Sequence, residues 1–68
     1  MKISDDNEIS VKTFNFLTRK GIMYFDDLRK FSSDEIMRWS DMDRKTLTEI
    51  LYLMKKHNIG FEDNHRTL

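Results

Sequence analysis

Val11, Phe14 and Leu17 recur at the three-to-four spacing of one helical face, with Ser10 ahead of them and Arg19-Lys20-Gly21 behind. A hydroxyl that caps free amides, an apolar stripe, cations in the last turn and a glycine that accepts a left-handed backbone together predict a first helix. Ile22 then stands where a Schellman-type ending sets a hydrophobic contact back onto that helix. A short second helix is expected over about Phe25 to Lys30, with Asp26 and Asp27 in its first turn and Arg29 and Lys30 in its last, as the helix dipole favours. Ser32-Ser33-Asp34-Glu35 has the S-x-x-E form of a capping box, so a third helix starts there, carries Ile36 and Met37, and stops near Trp39-Ser40. Asp41-Met42-Asp43 makes a tight connection whose last residue caps a fourth helix. That helix has Leu47, Ile50, Leu51 and Met54 at spacings of three and four and closes on Lys55-Lys56-His57-Asn58. Ile59 and Phe61 fold back as the last core residues. No stretch alternates apolar and polar positions long enough for a strand, so the expected fold is all-α: a compact four- to five-helix domain joined by short turns.

The chain has 68 residues and no Cys, which excludes disulfides, thiolate metal sites and cysteine nucleophiles and points to a reducing compartment. A domain this short hides only about 60% of its unfolded surface, so its stability rests on a small core. The expected organisation is an acidic N-terminal arm over residues 1–8, a helical domain over 9–61 and a frayed tail over 62–68. Neither a signal sequence nor a membrane-length apolar run is visible, so the expected location is cytoplasmic, nucleoid-associated when bound to DNA. Twelve Lys plus Arg balance twelve Asp plus Glu. Attraction for a polyanion must therefore come from a local patch rather than from the whole molecule.

Catalytic chemistry finds little footing. His57 and His65 stand eight apart with no further ligands at zinc-site spacing, and the adjacent carboxylates Asp5-Asp6 and Asp26-Asp27 do not form an acid/base pair. No phosphate-cradling glycine motif or nucleophile grouping is present. The expectation is a non-enzymatic domain without cofactor or metal.

The order of parts resembles a known family. Ser10-Val11-Lys12-Thr13-Phe14-Asn15-Phe16-Leu17, then Lys20-Gly21-Ile22, Asp27-Leu28, the capped Ser32-Ser33-Asp34-Glu35, and Arg44-Lys45-Thr46-Leu47-Thr48-Glu49-Ile50 are similar to the C-terminal domain of the bacterial RNA polymerase α subunit. The similarity runs over residues 5–61, and its most specific piece is Met42 to Ile50. The sequence starts close to where the family's domain starts, so the expectation is a stand-alone or excised domain. The resemblance implies helix-hairpin-helix elements that bind the minor groove of AT-rich DNA upstream of promoters, as part of RNA polymerase and in contact with σ factor or a transcription regulator. Helix starts and a tight turn would present amides to phosphates while one long basic side chain enters the groove.

Carried over by position, the groove-entering residue is Lys12, where the family has arginine, and Asn15 one turn on is kept. The hairpin positions are Asp43, Arg44, Lys45 and Thr46, and the family's glutamate is kept as Glu49. Asp6 and Glu8 match an acidic pair that in the family faces σ factor. Lysine keeps the charge of arginine but has fewer donors and sheds water less readily. Asp43 replaces a glycine and, with Asp41, brings the charge of the hairpin to zero, which weakens the phosphate attraction.

Two readings of the exposed positions stay open. Lys12, Arg44 and Lys45 either meet DNA or are solvated surface, and Asp6 and Glu8 either face a partner or form a mobile acidic arm. Leu51 and Tyr52 extend the apolar surface of the fourth helix beyond its core face. They either pack against Trp39 or the tail, or offer a face to a protein partner or a second copy in a homodimer. A second functional class is therefore an adaptor or decoy that keeps σ-factor or regulator contacts with DNA binding weakened or lost.

Overall fold

Caps set the helix boundaries of the computed structural model, which describes residues 1–61. The tail expected beyond Phe61 and His65 lie outside the described residues. Helix α1 (Val11–Arg19) begins on Ser10, whose hydroxyl accepts from the Thr13 amide. It ends in a full Schellman motif: Ile22 N–H donates to Leu17 C=O, Gly21 N–H donates to Thr18 C=O, and Gly21 takes φ 79°. Helix α2 (Ser33–Met37) begins on the predicted capping box, with the Ser32 hydroxyl accepting from Glu35 N–H and the Glu35 carboxylate accepting from Ser32 N–H. Helix α3 (Arg44–Lys56) begins on Asp43, whose carboxylate accepts from Thr46 N–H at 2.7 Å. It closes with a second Schellman ending, Ile59 N–H to Met54 C=O and Asn58 N–H to Lys55 C=O, with Asn58 at φ 59°. Asparagine here does what glycine does after α1, because its short polar side chain tolerates the left-handed region.

The second helical segment differs in kind from the expectation. Phe25–Lys30 is a 3-10 helix, and its two buried residues, Phe25 and Leu28, lie three apart as that geometry requires. Asp27 reaches back to accept from the Tyr24 amide at 3.2 Å, closing its first turn. A shorter 3-10 turn at Ile3–Asp5 begins the molecule.

Among the described residues the only pairing outside helices is one antiparallel bridge between Lys2 and Tyr24. Ile3 N–H donates to Met23 C=O and Phe25 N–H donates to Met1 C=O. Within the acidic segment at residues 1–8, Ile3 is fully buried and joins Phe16, Leu17, Ile22, Phe25, Leu28, Ile36, Ile50, Leu53, Met54 and Phe61 in one cluster. An isoleucine flanked by Lys2 and Ser4 gives no periodic signal, yet the bridge sets it over the core.

Helices α1 and α3 pack against each other. Trp39, just past α2, stands edge-on to Phe31 with centroids 5.4 Å apart and tilted against Phe16 at 5.8 Å. Its indole thus holds the hairpin at residues 38–43 against α1, with the Lys20 ammonium over both the Phe16 and Trp39 rings.

Candidate nucleic-acid interface

The amide-bearing starts of α1 and α3 meet on one surface, and side chains from each helix bind the other's start. Glu49, in α3, accepts from Ser10 N–H at 2.6 Å, Ser10 Oγ at 2.8 Å and Thr13 Oγ1 at 2.8 Å. Partial burial works against its charge, but these three donors outweigh it and hold the carboxyl below its ordinary range. In the opposite direction Lys12 of α1 donates to Asp43 Oδ2, while Asp43 Oδ1 caps α3. The Lys12 ammonium and the Thr46 amide together hold the Asp43 carboxyl well below the usual carboxylate range. The caps take the Thr13 and Thr46 amides. The amides of Val11, Lys12, Arg44 and Lys45 belong to first turns and have no intrahelical acceptor.

Around this seam Lys12, Asn15, Arg44 and Lys45 are exposed, Arg44 and Lys45 following Asp43 on the first turn of α3. Asp41, which adds negative charge to the hairpin in the sequence, is paired across to α1: 2.9 Å to Lys20 Nζ and 3.7 Å to Arg19. The hairpin carboxylates are thus matched by cations from α1 and its C-terminal cap, and the joint surface carries five cations, Lys12, Arg19, Lys20, Arg44 and Lys45, against the three carboxylates of Asp41, Asp43 and Glu49. A local positive patch exists on a molecule of zero net charge.

Not every predicted residue faces outward. Thr46 is buried at 2% exposure, so its side chain is structural and only its backbone belongs to the first turn. Glu49 is engaged in holding the α1 start rather than turned to solvent.

The acidic pair expected to face a partner is divided. Asp6 has a fully buried carboxylate: Oδ1 accepts from Glu8 N–H at 2.7 Å, and Oδ2 accepts from Lys56 Nζ at 3.0 Å and from His57 Nε2. A carboxylate only accepts, so Nε2 carries the proton in that bond. Burial alone would raise the Asp6 pKa, but the bonds from His57, Lys56 and the Glu8 amide overcome it and lower it to about 2. The His57 ring in turn stacks on Phe25 with centroids 4.5 Å apart. Asp6 is therefore a clasp that fixes the N-terminal segment to the end of α3, not a partner-facing group, because its lone pairs are taken from inside.

Glu8 remains exposed, bonded to Lys56 Nζ and to the Tyr52 hydroxyl at 3.3 Å. Leu51 and Tyr52 stay 45% and 53% exposed, and the rings around Trp39 are Phe16 and Phe31; of the readings open for these two, packing on the tail falls outside the described residues. Leu51 borders a surface cavity of about 370 Å³ with Met54, Ile59 and Phe61.

Sequence reasoning missed Ser10 and Thr13 as donors to Glu49, and Lys56 and His57 as the partners of Asp6. One signal was available. Thr13 precedes Phe16 and Leu17 at three and four on the inward face of α1, and a hydroxyl at a core position calls for a buried acceptor.

Among the described residues, a helical domain in which the capped starts of two helices meet at a surface that carries cations defines a class of small all-α modules. Residues 4–56 match the family of the C-terminal domain of the bacterial RNA polymerase alpha subunit, and the protein belongs to that transcription-associated family. Among its relatives are the α subunits of DNA-directed RNA polymerase from Rickettsia akari, Rickettsia typhi and Rickettsia prowazekii, each 34% identical over 61 residues, or 90% of the present sequence. The sequence spans 18% of the length of those relatives.

Proposed function

We propose that the domain binds the minor groove of AT-rich DNA through the seam between the starts of α1 and α3, in the service of transcription and in company with RNA polymerase. Lys12 is the groove-entering side chain, Asn15 lies beside it, and Arg44, Lys45 and the first-turn amides of both helices meet phosphates. The observation that carries this reading is the reciprocal tie of Lys12 to Asp43 and Ser10 to Glu49, which sets both helix starts on one face. Asp43 and Glu49 act there as organisers of the donors, not as donors themselves. The module supplies position and charge rather than catalysis; polymerisation would belong to the complex.

The test is a titration of the domain with an AT-rich duplex at low salt, followed by amide spectra. Shifts are expected at residues 10–15 and 43–46, with a slope of log affinity against log salt of about −3 for three or four phosphate contacts. Lys12→Ala should reduce affinity about tenfold, within the range of one charged groove contact. Amides that do not move with duplex at low salt would overturn the reading.

The adaptor or decoy alternative loses ground on one specific point. Of the acidic pair it relies on, only Glu8 is exposed, and Glu8 is already bonded to Lys56 and Tyr52.

A further inference from the structure

We propose that Asp43 is an internal competitor for DNA: its carboxylate occupies the ammonium of Lys12, so that the groove must displace an intramolecular anion before the lysine can enter. This deepens the DNA-binding reading and rests on it.

Three observations carry the inference. The Lys12 ammonium is bonded to Asp43 Oδ2, and the two residues are 31 apart in sequence, so the pairing is a product of the fold and not of local helix geometry. Both side chains are open to solvent, 64% and 46% exposed, so the pair can open without uncovering core. Asp43 is also fixed in place, because its other oxygen caps α3 through Thr46 N–H. An anchored carboxylate beside an exposed lysine is a stand-in for a phosphate oxygen. Asp41 does not play this part, since its partners are Lys20 and Arg19.

The consequence is specific to one contact. When Lys12 moves from Asp43 to DNA, the ion pair must be broken and Asp43 is left as an uncovered negative charge beside the duplex. The affinity of the native domain is therefore lower than its contacts alone would give, while ion release, which comes from the cations condensed on the duplex, keeps its full share per contact. Replacing Asp43 by Asn keeps a good helix cap while removing the competing charge. Lys12 is then free before binding, and no ion pair has to be broken for it to enter the groove.

The experiment is a four-protein cycle: the native domain, Asp43→Asn, Lys12→Met, and both together, each titrated with the same AT-rich duplex at several salt concentrations. Circular dichroism and urea midpoints check that the cap holds; Asp43→Ser, a second capping residue, replaces Asn if it does not. Asp43→Asn should tighten binding about threefold to tenfold in the native background, as loss of an exposed ion pair and of one repulsive charge allows. In the Lys12→Met background the gain should fall below about twofold. Equal gains in both backgrounds would mean that Asp43 acts only as a general repulsive charge, and the proposal falls. No gain in a native domain that does bind DNA also overturns it. If none of the four proteins binds duplex, the DNA reading itself has failed, and the competitor falls with it.

Discussion

Asp6 and Asp43 have the same kinds of partner, a lysine ammonium and a backbone amide, in opposite surroundings. The Asp6 carboxylate is buried against Lys56 and His57, whose ring stacks on Phe25, at the end of α3, whereas the Asp43 carboxylate is nearly half open at its start. A sealed carboxylate that loses its donors leaves a charge without water, so its partners are architecture. An open one that loses its lysine is rehydrated at once, so its partner can be exchanged for another anion. The same two residue types thus make a clasp at one end of a helix and an exchangeable contact at the other.

The comparison can be broken most forcefully at the clasp end. Ile3→Ala removes a fully buried side chain from the segment that Asp6 fastens, and should cost about 2–4 kcal/mol in urea denaturation. A loss near zero would mean that the N-terminal segment contributes little to the core. Asp6→Asn follows. Its pKa falls from 3.8 in the unfolded state to about 2 when folded, which corresponds to about 2 kcal/mol favouring the charged, folded form. Because the folded value is the lower one, this contribution is present above 3.8, diminishes as the pH falls below it and is gone beneath about 2. Stability measured from pH 5 to 2 should therefore drop less steeply in the Asn variant than in the native protein.

At the other end of α3, Ser10→Ala deletes the cap of α1 and a donor to Glu49, with an expected loss of about 1 kcal/mol and a shift in the amide of Thr13. The smallest effect belongs to Glu8→Ala. Its bonds to Lys56 and Tyr52 are exposed, and the urea midpoint should not move measurably. A clear drop would place Glu8 in the clasp beside Asp6.

Helix boundaries were legible because capping is local chemistry: Ser10, Ser32 with Glu35, Asp43, Gly21 and Asn58 each act within a few residues of themselves. The 3-10 character of Phe25–Lys30 was not, since six residues with acidic and cationic ends suit either helix type. Placing Lys12, Asn15 and the hairpin on one surface came from resemblance; periodicity alone carries no information on how α1 and α3 cross. The clasp was invisible for a related reason. Asp6 and His57 are 51 residues apart, and an acidic residue in a polar segment looks solvated until a fold closes over it. Thr13 was the missed hint, a polar residue in an apolar stripe whose acceptor, Glu49, lies 36 residues away.

The clasp also decides how the domain bears mechanical load. At 1.5 Å per residue, α3 separates Lys56 from Asp43 by about 20 Å. Tension applied through the first residues is taken up by Asp6, Ile3 and the Lys2–Tyr24 bridge before it reaches Ser10. The seam of helix starts thus lies about the length of α3 from the point where the N-terminal segment is fastened.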